Sequence, residues 1–231
     1  SAADQELEAG DTFTGNGGTD TILFNTAADS STSGAGAITA TIDFDAVTGV
    51  EKILVADADG AVAADADAII VNLSTSVTTA NVPATFEYDG SVKTDALDTQ
   101  QFNYAGAYAD ATDADNAVLT TAFTLKGGWG ADSLYGSAGT DSIVGGIGAD
   151  TLAGFGQSDT IEGGAGGDLI NGGDETALTG VGDSLLGGSG ADTINGNAGA
   201  DTISGGDGAD VITGGTGADN LTGGSGADEF E

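Results

Sequence analysis

From residue 127 onward the apolar positions of this chain recur at a fixed interval. Leu134, Ile143, Leu152, Ile161, Ile170, Leu185, Ile194, Ile203, Ile212, Leu221 and Phe230 stand nine apart, with six extra residues between Ile170 and Leu185. Each follows a glycine-rich run, as in GGWGADSLY at 127–135, GGIGADTLA at 145–153, GGDGADVIT at 205–213 and GGSGADEFE at 223–231. One apolar residue inside a three-residue segment predicts a minimal strand with one side chain turned to a core. The preceding six residues predict a turn, because glycines admit positive φ. Two units then make one coil of a flattened spiral, turn, strand, turn, strand. Residue i lies about 4.8 Å from residue i+18 along the axis, and the apolar residues stack as a thin core.

Residues 24–126 carry a different pattern. Glycine thins out, and period-two alternation appears in ITATIDF (38–44), IIVNL (69–73), TFEY (85–88), QFNY (101–104) and LTTAFTL (119–125), with VEKILV (50–55) a further apolar segment. These predict strands, and no segment shows a helical stripe. Their centres lie about thirteen to nineteen residues apart, which suits rungs of a parallel β-helix with uneven loops and also a small β-sandwich. Pro83 precedes a strand segment, where it does little harm. Residues 9–23 hold an isolated version of the repeat, with Asp11 and Asp20 nine apart and Phe13 and Ile22 following each by two. The chain thus divides into a short repeat-like turn (1–24), a β-rich region (25–126) and the repeat block (127–231).

The polar half of the pattern carries the chemistry. An aspartate stands two residues before each apolar position: Asp132, Asp141, Asp150, Asp159, Asp168, Asp183, Asp192, Asp201, Asp210, Asp219 and Asp228. In a two-unit coil these form two edge columns. Two stacked carboxylates about 4 Å apart repel by roughly 4 kcal/mol at an effective dielectric of 20, and a cation between them reverses that sign. Carboxylates and turn carbonyls offer only oxygen, which suits calcium with its six to eight loosely arranged ligands. Magnesium is disfavoured by its strict octahedron, and zinc, copper and iron prefer histidine or thiolate. Eleven units paired i to i+18 leave at most nine pairs, Asp132 with Asp150 through Asp210 with Asp228. Gln157, where most units carry the fourth-position glycine, predicts a distorted turn or a poorer site, and the insertion around Thr176–Leu178 predicts an outward bulge with the calcium next to Asp183 lost or altered.

Composition narrows the classes. The 231 residues carry 37 acidic side chains against three lysines, with no histidine, and a formal charge of −34. Nine calcium ions would bring that to about −16. Such a chain does not neutralise phosphates, so no nucleic-acid partner is expected. It lacks cysteine, hence disulfides and thiolate sites. It has no apolar run long enough for a transmembrane segment. The start, SAADQELEAG, lacks a signal-peptide pattern, which points to a processed fragment or another export route. Without histidine there is no Ser-His-Asp triad and no HExxH site, and no G-x-S-x-G elbow occurs. An enzyme is not expected. The acids of 24–126, such as Asp43, Asp45, Asp57, Asp59, Asp110 and Asp113, read as surface solvation, and Trp129, Tyr135 and Phe155 as residues flanking the roll. A flat ice-binding ladder of Thr and Ser is spoiled by Leu169, Val211, Asn220 and Glu229.

The block 127–231 resembles the RTX (repeats-in-toxin) calcium-binding nonapeptide family, and residues 10–23 do so in part. The resemblance implies a right-handed parallel β-roll, export by a one-step (type I) apparatus, and folding on meeting external calcium. The segment DAVTGVEKILV (45–55) more loosely resembles bacterial surface-layer (S-layer) proteins and adhesins. The expected fold is all-β: a right-handed parallel β-roll or β-helix solenoid, with the N-terminal part continuing it. The expected metal ligands are the eleven aspartates of the block together with Asp11 and Asp20. The expected function is a secreted calcium-binding structural or assembly protein of the bacterial cell surface, part of an S-layer, fibre or matrix that self-assembles. The alternatives are an adhesin or binding module with the roll as spacer, and the C-terminal part of a secreted protease, lipase or toxin.

Overall fold

The computed structural model describes residues 122–174 and 181–231, and before them the strand residues 13–14, 21–26, 38–42, 47–48, 52–57, 68–73, 85–89 and 99–104. All described regular structure is strand, numbered here along the chain. β1 (Phe13–Thr14) pairs with β4 (Val47–Thr48). The other strands alternate between two nine-stranded sheets. The first sheet runs β2 (Thr21–Thr26), β5 (Lys52–Asp57), β7 (Thr85–Asp89), β9 (Ala122–Trp129), β11 (Ser142–Ile147), β13 (Thr160–Ala165), β15 (Ser184–Ser189), β17 (Thr202–Asp207) and β19 (Asn220–Ser225). The second runs β3 (Ile38–Ile42), β6 (Ala68–Leu73), β8 (Thr99–Tyr104), β10 (Ser133–Tyr135), β12 (Thr151–Phe155), β14 (Leu169–Asp174), β16 (Thr193–Ala198), β18 (Val211–Thr213) and β20 (Glu229–Phe230).

Every described pairing is parallel, and sequential strands lie in opposite sheets, so the chain is a β-solenoid. The sandwich alternative for 25–126 falls, because the strands of that region join the same two sheets as the repeats. Only the coil length changes. Thr21 pairs with Lys52 and Thr85 with Ala122, whereas Leu134 pairs with Leu152 and Ile143 with Ile161, at the expected spacing of eighteen. Across the six extra residues Ile161 meets Leu185 and Ile170 meets Ile194, so the ladder closes over the insertion in frame. The insertion itself lies outside the described residues.

Between the sheets runs one file of side chains. Phe123, Leu125, Leu134, Ile143, Leu152, Ile161, Ile170, Leu185, Ile194, Ile203 and Ile212 are all at most 2 % exposed. Leu221 is half-buried and Phe230 exposed, since no described coil covers β19 and β20. The strands of the first sheet are longer than the expected three residues. β11, for example, takes in Gly145 and Gly146 of the following unit. The inside-outside alternation continues through Ile143 and Gly145, both buried, so this first glycine is an inward position at the end of the strand, where the turn begins, whereas Gly136 and Gly214 lie just past their strands.

Candidate metal centres along the two turn columns

The coil has two edges, and successive units serve opposite ones. Turns 127–132, 145–150, 163–168, 187–192, 205–210 and 223–228 pass from the first sheet to the second and form one column. Turns 136–141, 154–159, 172–183, 196–201 and 214–219 return and form the other. The aspartate closing each turn points inward. Asp132, Asp141, Asp150, Asp159, Asp168, Asp183, Asp192, Asp201 and Asp210 are at most 2 % exposed, while Asp219 and Asp228 are half-buried.

Burying an ionised carboxylate is costly unless it is compensated. One oxygen is compensated by the fold. The backbone N–H of Asp132 donates to Asp150 Oδ1 at 2.8 Å, and that of Asp150 to Asp168 Oδ1 at 2.9 Å. The series continues Asp168 to Asp192, Asp192 to Asp210 and Asp210 to Asp228 on this edge. On the other it runs Asp141 to Asp159, Asp159 to Asp183, Asp183 to Asp201 and Asp201 to Asp219. The nine pairs read from the spacing are therefore joined directly, main chain to side chain. The aspartate carbonyl is also consumed, as where Asp132 O accepts from Thr151 N at 2.8 Å.

The second oxygen is different. Oδ2 of Asp150, Asp168, Asp192, Asp201 and Asp210 is buried and receives no hydrogen bond. It lies over the first glycine of its own turn. A Cβ added to Gly145 would stand 2.3 Å from Asp150 Oδ2 and 2.7 Å from the carbonyl oxygen of Gly163 in the next coil. The same cradle recurs at Gly187, between Asp192 Oδ2 and Gly205 O. Two acceptors thus face each other with no donor between them. A Cβ added to Gly208 would lie 1.6 Å from Gly190 O and 3.1 Å from Asp210 Oδ1, the oxygen that accepts from the Asp192 N–H.

Such an array has two ways to be stable, a proton or a metal cation. Burial pushes Asp150 and Asp192 up to about 6 from the ordinary 3.8, against the backbone hydrogen bond each accepts. The neighbouring carboxylates, Asp168 for Asp150 and both Asp168 and Asp210 for Asp192, push the same way. Raised folded-state values mean that these groups favour the ion-free fold most below about pH 4. That contribution falls as pH rises through about 6. Calcium competes for the same oxygens, so its affinity moves oppositely and is expected to be about tenfold weaker at the sites of Asp150 and Asp192 at pH 5 than at pH 7. Calcium titration of the full chain at both pH values checks this, and equal affinities would contradict it.

The donor set fits calcium. It is all oxygen, a carboxylate oxygen of one coil and a carbonyl oxygen of the next around each position that a Cβ would fill. Among the described residues no three acidic side chains converge, so backbone oxygens must complete each shell. The ion would supply charge neutralisation between coils.

Gln157 does not distort its turn as expected. It keeps the glycine-like backbone, φ 69°, and its Nε2 donates to Ala138 O at 2.8 Å. Phe155 also has positive φ, 83°, and its ring lies 6.4 Å from that of Tyr135. Asp11 and Asp20 lie outside the described residues. Ser137 was not singled out from the sequence, yet it is fully buried and bonds Asp141 through both N–H and Oγ. The available signal was its departure from the second glycine of the repeat.

Comparison with the curated proteins and with the solved structures returns no match. A family model described as RTX calcium-binding nonapeptide repeat (4 copies) matches residues 9–30, 126–154, 153–175, 179–212 and 204–231. These segments span both the N-terminal repeat-like turn and the whole laddered block. The chain belongs to the RTX calcium-binding nonapeptide repeat family.

Proposed function

We propose that this protein is a structural or assembly component of the bacterial cell surface, exported by the type I route and made rigid by calcium clamped between its coils. The observation that carries this reading is the repeated buried Oδ2 facing a carbonyl oxygen with no donor between them. Supporting the structural role, all buried charged side chains among the described residues belong to the aspartate ladder, and Ser137 is the other buried polar residue. Among the described residues no separate acid-base cluster stands beside it. No helix of the described residues is long and apolar enough to cross a membrane. The three segments 1–24, 25–126 and 127–231 are kept as a working division, with 127 marking the point where the coil shortens.

Electron microscopy and light scattering of the full chain, with calcium and with EGTA, test the role. Ordered sheets or fibres in calcium that disperse in EGTA are expected. A monodisperse monomer under both conditions would overturn the assembly role. Binding of residues 25–126 to glycans or cells would then favour the adhesin alternative, and a catalytic domain in a longer gene product the enzyme-tail alternative. The metal assignment has its own check. Asp192→Ala with Asp210→Ala is expected to remove about two or three bound ions per chain, because the pair borders three gaps of one column. Unchanged stoichiometry would show the ladder misassigned.

A further inference from the structure

The two turn columns are not equivalent. The column that passes from the first sheet to the second carries Gly-Gly-x-Gly in all six turns, and the second and fourth glycines have positive φ throughout, from Gly128 and Gly130 to Gly224 and Gly226. Every departure from the repeat falls in the other column: Ser137, Phe155, Gln157, the insertion after Asp174, and Asn197. Most are tolerated in kind. Phe155, Gln157 and Asn197 adopt the positive φ of the glycines they replace.

Ser137 is the exception, being outside the positive-φ set, as is Gly139. Its N–H donates to Asp141 Oδ2 at 2.6 Å, and its Oγ reaches Asp141 Oδ1 at 3.4 Å. That hydroxyl also accepts from Gly139 N at 2.9 Å. Asp141 Oδ1 receives the Phe123 N–H at 2.6 Å. Asp141 Oδ2 sits where its counterparts sit, 2.4 Å from a Cβ position on Gly136 and near Gly154 O. At Asp150, Asp168, Asp192 and Asp210 that oxygen has no donor, but at Asp141 an N–H already points at it.

We propose that the gap between Asp141 and Asp159 is a calcium-free turn, in which the Ser137 main chain and hydroxyl take the place of the ion. An N–H aimed at the shared oxygen repels a cation, and the ordinary backbone at Ser137 does not present the carbonyls as the glycine turns do. The inference rests on the calcium reading of the ladder. It adds that one column is a complete series of ion sites, whereas the other begins with a turn locked by the protein itself. The carboxylate of Asp141 then serves as a structural acceptor and not as a ligand.

The test is the number of calcium ions bound by the full chain at saturation, measured by equilibrium dialysis with elemental analysis. Ser137→Gly, free to take the positive φ of the other turns, restores the repeat and is expected to bind about one more ion than the parent, while Ser137→Ala, whose Cβ keeps the ordinary φ and with it the N–H on Asp141 Oδ2, is expected to leave the count unchanged. Asp141→Asn is expected to leave it unchanged too, whereas Asp150→Asn lowers it. A fall with Asp141→Asn equal to that with Asp150→Asn, or no gain with a folded Ser137→Gly, would overturn the proposal. Should Asp141→Asn fail to fold, the two Ser137 variants decide. If the parent binds no calcium, or Asp150→Asn loses none, it is the calcium reading itself that fails.

Discussion

In excess chelator the repeat block is expected to lose most of its β-sheet circular dichroism, and millimolar calcium is expected to restore it. The expectation follows from how little else holds the coils. Ordering each residue costs roughly 1–2 kcal/mol of conformational entropy, and glycine loses the most. Against this stands a single file of Leu, Ile and Phe, about one per nine residues of the block, each contributing about 1.5–3 kcal/mol on burial. The carboxylates make matters worse when empty, because the buried Oδ2 of Asp150, Asp168, Asp192, Asp201 and Asp210 faces a carbonyl oxygen with no donor. At 1 mM calcium and a dissociation constant near 0.1 mM, each site adds about 1.4 kcal/mol to folding. Six turns in the regular column enclose five gaps, so that column alone adds about 7 kcal/mol, comparable with the whole net stability of an ordinary domain. A chelated sample with an unchanged spectrum would show that the coils stand without ions.

Much of this architecture was legible along the chain. The period of nine, read as half a coil, placed Leu134 over Leu152 and Ile143 over Ile161 without error. It also carried the frame across the insertion, because six added residues in a turn leave the strands on either side in register. The segments of 38–125 showed their strands through alternation, yet not their sheet partners. Coils of uneven length carry no fixed interval from which a partner can be counted. Two features of the site were hidden for physical reasons. The N–H of one aspartate reaching the carboxylate of the next coil depends on main-chain direction, which side-chain spacing does not encode. The inequality of the two columns was hidden by treating the units as one series. Sorted alternately, as a two-unit coil sorts them, Ser137, Phe155, Gln157 and Asn197 fall on one edge.

Gly190→Ala is expected to be among the most damaging single substitutions in the block, although alanine is the smallest change available. Gly190 has φ 128°, a region costly for any residue with a Cβ, and that Cβ would lie 1.6 Å from Gly166 O of the preceding coil. The atom in the way is backbone, fixed by parallel ladders on both sides, so it does not rotate aside. Strain of about 1–3 kcal/mol together with forced separation of two coils predicts a loss of at least about 3 kcal/mol. For a block of this size that lowers the melting temperature in calcium by more than about 10 °C. The separation also draws apart the oxygens between these coils, so calcium affinity should fall along with stability. Gly167→Ala supplies the contrast. Its Cβ would meet Ala191 O at 3.0 Å with no positive φ, at a position where neighbouring turns already carry Ala149 and Ala191. That variant is expected to stay within about 1 kcal/mol of the parent. Equal melting temperatures for the two variants would mean that the coils do not approach as closely as the main-chain geometry requires, and the ion sites built on that approach would fall with it.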